Sequence, residues 1–363
     1  MTGLWPFAPV FVLLAMTWKN GGVSARRIPM WLFYLARFVV FEPLRLVERL
    51  AVDRRIRSHA LPSAPIFVLG HWRSGTSHLQ TLLYLDPRFT TSTIYRSLFS
   101  DVFYLTEGWL KPVFNAGARA VGARYDIQRV ALDLDLPAEG DLGLCSLCSP
   151  YSYTWGHVFP SRFSQWVERL VLSPSDADRD GWLAAYDYFI RKLSLASGGK
   201  RVVIKSPGDT ARLSMLAERY PDAKFVTIRR RPEEVFYSNR YLWSVVLQDH
   251  GVQWLDEAQI DTLILDNYAA LMARYEEQRA ALPPQRLVEI RYADLRDDPF
   301  RALSRVYAQL DLGDLPTDQL QDHLQRQPTY TAPAYTLSPE VAARLQEAWG
   351  PLPGSAGPGP QLP

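Results

Sequence analysis

The chain has 363 residues, 47% hydrophobic and 12% aromatic, enough to bury the core of one large domain with appendages. Its formal charge of +2 argues against broad nucleic-acid binding. Its two cysteines, Cys145 and Cys148, are too few for a disulfide scaffold and lack the second pair of a zinc site, so they read as small core residues.

Charge is unevenly spread. Residues 1–60 carry nine Lys or Arg against three acids, Glu42, Glu48 and Asp53, so the remainder is slightly acidic. Residues 4–18 are mostly apolar, but Pro6 and Pro9 interrupt them. They lack a basic leader and a cleavage site, and they fall short of the ~20 residues of a membrane span. Residues 28–41 are apolar and aromatic, broken by Arg37. Residues 44–57 read as an amphipathic helix, with Leu44, Val47, Leu50 and Ala51 opposite Arg45, Glu48, Arg49 and Arg55. Residues 1–59 therefore form a helical extension with two open readings. Either residues 1–58 attach to a membrane surface, or they pack as a cap on the domain that follows.

Ile66 to Leu69 is a short apolar run that reads as a buried strand. Gly70 and Gly75 bracket a turn with phosphate-loop spacing. Leu79, Leu82 and Leu83 then recur at helical spacing, so a helix begins near Ser74. Strand, glycine loop and helix N-terminus make an anion site. The Walker pattern places Lys after the second glycine, but here Thr76 stands there and the cation is Arg73, inside the loop.

Residues 90–125 are mixed and rich in aromatics, which suit an acceptor cleft or a core. Residues 132–141 are acidic. Helices are expected over 164–171 and 181–196, and Gly198-Gly199 ends the second. Strands follow at 201–205, 224–230 and 287–292, separated by helices at 210–220, from Pro232 to about 247, and at 261–282. Asp298-Pro299 opens one more helix. This alternation indicates an α/β fold, P-loop-containing, with a mostly parallel central sheet flanked by helices. Residues 60–349 are taken as that domain, and 350–363, with five Pro and four Gly, as a disordered tail.

The loop Arg73-Ser74-Gly75-Thr76-Ser77 resembles that of the sulfotransferases that use 3′-phosphoadenosine 5′-phosphosulfate (PAPS), in a bacterial-type branch with Arg in the 5′-phosphosulfate loop. Arg230-Arg231-Pro232 through Val235 to Ser238 is similar to the family's 3′-phosphate motif. Val203 to Pro207, and Arg291 to Leu295 with Asp298-Pro299, look like further family segments. The resemblance covers residues 60–312.

It implies transfer of a sulfuryl group from PAPS to an acceptor hydroxyl or amine, with no metal. Arg73, Ser74, Gly75, Thr76 and Ser77 would bind the 5′ side of the donor, and Arg230 and Ser238 its 3′-phosphate. Arg73 and Lys205 would stabilise charge at the reacting centre. Related enzymes use Glu or His as base. This chain has Tyr95-Arg96 where the branch often has an acid, but Pro137-Ala138-Glu139-Gly140-Asp141 matches another acidic element. Glu139 is the first candidate, then Asp141, with His71 behind. The acceptor is expected to be a small molecule, lipid or glycan, and the enzyme cytoplasmic, peripheral to a membrane if its first segment is interfacial. Two alternatives compete. A P-loop kinase or NTPase needs the Walker lysine. A non-catalytic membrane-associated protein of the same fold would have lost the loop arginine and the 3′-phosphate pair, and both are present.

Overall fold

The computed structural model describes residues 10–128, 130–147, 150–326 and 339–349. The tail expected over 350–363 and Cys148 lie outside them, while Cys145 is buried in the core.

The centre is a five-stranded sheet in the order β2–β5–β1–β6–β7, all pairs parallel. Its strands are β1 (Ile66–Leu69), β2 (Phe89–Thr91), β5 (Arg201–Lys205), β6 (Lys224–Arg229) and β7 (Leu287–Arg291). β3 (Arg124–Tyr125) and β4 (Val130–Ala131) form a separate antiparallel hairpin. Side chains alternate across the sheet with period two. Ile66, Val68, Val203 and Val226 enter one core with Leu79, Leu82 and Ile290. Phe67, Leu69, Val202, Ile204 and Phe225 enter the other with Tyr186 and Phe189. Burial on both faces explains why these strands read as continuous apolar runs.

β1 lies between β5 and β6, with Val68 opposite both Lys205 and Val226. The carboxyl ends of three neighbouring strands therefore open on one place. Ligands of open α/β sheets bind at such ends. The loop from Gly70 to Gly75 follows β1, Ser206 follows β5 and Arg230 follows β6.

The four longer strands match the expectation. β2 and the hairpin were not expected, and residues 103–120, read as mixed, form a helix (Phe103–Ala120). The larger correction is at the N-terminus. Residues 28–58 are one helix, Ile28–Ser58, with Pro43 inside it. Its expected amphipathic face is only partly kept: Arg49 and Arg55 are exposed and Leu44 half-buried, but the rest is turned over. Arg45 and Glu48 are buried, while Val47, Leu50 and Ala51 are exposed. The cause is ion pairing: Arg45 meets Asp101, and Glu48 meets Lys192, inside the protein.

Candidate active site

The loop after β1 has its shape fixed by glycine. Gly70 has φ +141°, and a Cβ there would lie 2.7 Å from the Ile228 carbonyl and from Ser74 Oγ. Its N–H donates to Thr210 Oγ1 at 2.8 Å. Gly75 has φ +104°, and a Cβ would run into the Tyr292 ring. Arg73 holds φ +69°, a region that L side chains seldom enter. The helix Thr76–Tyr84 then starts with no side-chain cap, so its positive end faces the loop. It begins at Thr76, later than expected. Ser74 is a brace within the turn, its N–H and hydroxyl both donating to the His71 carbonyl at 3.1 and 2.7 Å.

Arg73 Nε donates to Ser238 Oγ at 2.9 Å and its Nη1 to the Ile127 carbonyl at 2.8 Å. Arg230 Nη1 donates to the Arg73 carbonyl at 3.1 Å, and its Nε to Glu234 Oε2 at 2.6 Å. The Arg230 guanidinium lies 4.5 Å from the centre of the Tyr292 ring. Arg73, Ser74, Gly75, Thr76, Ser77, Arg230 and Ser238 thus come together around one loop. The neighbouring arginines go elsewhere: Arg229 pairs with Glu276 and Glu289, and Arg231 with Glu233.

Lys205, at the end of β5, is buried, and its Nζ donates to Glu139 Oε1 at 3.0 Å. Tyr153 Oη donates to Glu139 Oε2 at 3.3 Å. Glu139 stands just before the helix Gly140–Ser146, and its side chain keeps 25% of its surface open. The half-buried Tyr125 of the hairpin feels both charges. Burial and the Glu139 charge raise its phenol pKa, and the Arg73 charge lowers it.

The second candidate carboxylate is not brought there. Asp141 is fully buried and accepts hydrogen bonds from Ser152 Oγ (2.6 Å), Thr154 Oγ1 (3.2 Å) and Trp182 Nε1 (3.4 Å), with Arg212 3.6 Å away. Burial raises its pKa against the pull of Arg212. This is an interior joint with no open side. His71 is also buried. Its Nδ1 lies 3.0 Å from the Trp72 carbonyl, and burial lowers its pKa to about 4. Arg96 lies outside the site too, pairing with Glu107 at 3.0 Å and donating to Thr90 and Ser197.

A model described as the sulfotransferase family matches residues 65–316. The chain belongs to the sulfotransferase family. It is 31% identical over 312 residues to the omega-hydroxy-beta-dihydromenaquinone-9 sulfotransferase Stf3 of Mycobacterium bovis, covering 85% of this chain and 78% of that one. The Stf3 of Mycobacterium tuberculosis matches to the same extent. Among solved structures, sulfotransferase STF9 from Mycobacterium avium superposes with a TM-score of 0.68 at 17% identity, over 94% of this chain and 95% of that one. STF1 from Mycobacterium tuberculosis gives 0.66 at 19%, over 93% and 90%. At those identities the likeness is one of fold. This sulfotransferase is therefore an α/β enzyme, and the kinase and non-catalytic alternatives fall away.

Several residues of the site escaped sequence reasoning. Thr210 reaches Gly70 across 140 positions and Tyr153 reaches Glu139 across 14, contacts with no local signature. Tyr125 sits on a hairpin of two-residue strands, too short to show periodicity. Tyr292 was within reach, because it belongs to a segment already singled out beside Asp294 and Leu295.

Proposed function

We propose that this sulfotransferase uses PAPS as donor and a hydroxyl of a lipid-like small molecule as acceptor. The observation that carries the donor reading is the meeting of Arg73, Arg230 and Ser238 at an uncapped helix N-terminus. The fit is sound on the loop's own terms. Its two glycines leave backbone room where a Cβ would clash, Arg73 puts a permanent cation in the loop, and Arg230 brings a second against it. Arg73, the Thr76 and Ser77 hydroxyls and the backbone N–H groups of the first helical turn would hold the 5′ side. Ser74 supports the loop from within. Arg230, oriented by Glu234 and Tyr292, would grip the 3′-phosphate with Ser238.

Bound PAPS would supply a sulfuryl group whose bridging S–O bond breaks as the acceptor oxygen attacks sulfur, leaving adenosine 3′,5′-bisphosphate. Arg73 would stabilise the oxygen that gains charge, and Lys205 the sulfuryl oxygens. Glu139 takes the acceptor proton. Lys205 and Tyr153 hold one of its oxygens each, so the carboxylate is fixed in direction yet still open. Asp141 has the structural role of tying the helix Gly140–Ser146 to Arg212. The acceptor class draws support from the name of the relative, whose substrate is a menaquinone derivative. With it go a catalytic unit over 60–349, a helical extension before it, and work at the cytoplasmic surface of a membrane.

Calorimetric titration with adenosine 3′,5′-bisphosphate, without added metal, tests the donor. Wild type should bind in the micromolar range, and Arg230→Ala should weaken binding by about 2 kcal/mol or more, the loss of a charged phosphate contact. A folded wild type that does not bind would remove PAPS as the donor.

A further inference from the structure

Three packed helices turn apolar side chains toward solvent. On Ile28–Ser58, the exposed residues Ile28, Leu32, Val39, Leu46 and Leu50 are spaced by four, seven, seven and four positions. At ~100° per residue these five fall within about 40°, and exposed Val47 widens the stripe to about 100°. Leu50 is 79% exposed, whereas Glu48 is 1% exposed. Around its middle the helix thus turns Arg45 and Glu48 toward the protein and Leu46, Val47 and Leu50 toward solvent, while Val52 and Ile56 anchor its last turns in the core.

The helix Val10–Lys19 packs beside it, with Trp31 Nε1 donating to Thr17 Oγ1 at 2.9 Å. That helix buries Val12, Leu13 and Met16 and exposes Phe11, Leu14 and Trp18, again at helical spacing. The helix Phe103–Ala120 also docks on it, through the Leu105 N–H on Glu48 Oε2 at 2.9 Å. It exposes Leu105, Trp109 and Val113 at four-residue intervals.

Cations accompany these stripes. Lys19, Arg26, Arg49, Arg54, Arg55 and Arg57 are exposed, whereas Glu42 and Asp53 are half-buried and Glu48 buried. A second copy of the chain would bring the same cationic face against itself. An anionic lipid surface would meet both the charge and the apolar stripes. Exposed Trp18 and Trp109 suit the headgroup depth. Among the described residues no helix is long and apolar enough to cross a membrane, so this face would lie along one.

We infer that the helices Val10–Lys19, Ile28–Ser58 and Phe103–Ala120 form a docking face for the surface of an anionic bilayer. This deepens the proposed lipid-acceptor reading and rests on it for its purpose, though not for its geometry. The third helix also connects the face to the reaction. It leads through exposed Val121 into the hairpin Arg124–Ala131, whose Ile127 carbonyl accepts from Arg73 and whose Asp126 carbonyl accepts from Tyr241 at 2.9 Å. A docked enzyme would hold that hairpin, and the loop cation beneath it, close to the lipid that carries the acceptor.

Flotation of the full chain with vesicles tests this. One set contains equal parts of phosphatidylglycerol and phosphatidylcholine, the other phosphatidylcholine alone. Wild type should float with the anionic set and lose that binding in high salt. Leu46→Glu with Leu50→Glu should weaken binding at least about tenfold, and Arg49→Glu with Arg54→Glu should abolish the preference for anionic lipid. Trp109→Ser, on a different helix, provides an independent loss. Circular dichroism and adenosine 3′,5′-bisphosphate binding should stay at wild-type level in all of them. If wild type binds the nucleotide but does not float, or the Leu46/Leu50 variant floats like wild type, the docking face is wrong. A dimer that the same substitutions dissociate, in place of flotation, also overturns it. Flotation without nucleotide binding would uphold the face and reject the donor reading instead.

Discussion

Two carboxylates two positions apart have opposite surroundings here. Glu139 precedes the first turn of its helix and keeps an open side, whereas Asp141 sits inside that turn and is enclosed by Ser152, Thr154, Trp182 and Arg212. The sequence offers both as acids of one short element. What separates them is where the turn points, which depends on partners far along the chain. Glu139→Gln should lower kcat by ~10²–10⁴, the usual contribution of a positioned base, while adenosine 3′,5′-bisphosphate binding in calorimetry stays unchanged. Asp141→Asn should instead act on stability, because it leaves the Arg212 charge less compensated in the interior. A loss of about 3 kcal/mol in urea unfolding is expected. If Asp141→Asn costs turnover at unchanged stability, the two assignments must be exchanged.

At the scale of elements, the core strands and the phosphate loop were legible because their signals are local: a short apolar run, two glycines, then leucines at helical spacing. The facing of the helix Ile28–Ser58 was not legible. Its pattern is a sound amphipathic one, but Glu48 finds Lys192 across 144 positions and Arg45 finds Asp101 across 56. Those pairs turn Arg45 and Glu48 inward. Burial raises the pKa of Glu48 and lowers that of Lys192, so each charge depends on the other. Lys192→Met should then cost about 3–5 kcal/mol, since it strands a buried carboxylate. Adding Glu48→Leu should recover a large part of that loss. A double-mutant cycle by chemical denaturation measures the coupling, and strictly additive losses would mean the pair does not orient the helix.

For the whole molecule, the sequence placed the two halves of the proposed donor site in order along the chain, and the sheet brings them together at adjacent strand ends. It gave no hint that His71 is buried and that His157 and His250 are half-buried. Burial lowers the pKa of His71 and His157 to about 4 and that of His250 to about 3. His157 stacks on Phe163, with ring centres 5.1 Å apart, and meets Trp243 edge-on. In the unfolded chain each imidazole takes up a proton near its ordinary value of 6.5. Between 6.5 and about 4 the unfolded state binds protons that the folded state refuses, so stability must fall as pH falls through that window. Buried Asp209, raised to about 7 by burial, acts in the opposite sense, so the wild-type profile alone mixes the two. A difference isolates the imidazole. His157→Phe keeps an aromatic ring in the cluster and removes the titrating group. Relative to wild type it should gain about 2 kcal/mol between pH 8 and pH 5, the linkage expected for one imidazole lowered to about 4. Thermal melting of both proteins across that range measures it. A gap between the two melting curves that stays constant with pH would show that His157 takes up its proton as readily in the folded protein as in the unfolded chain.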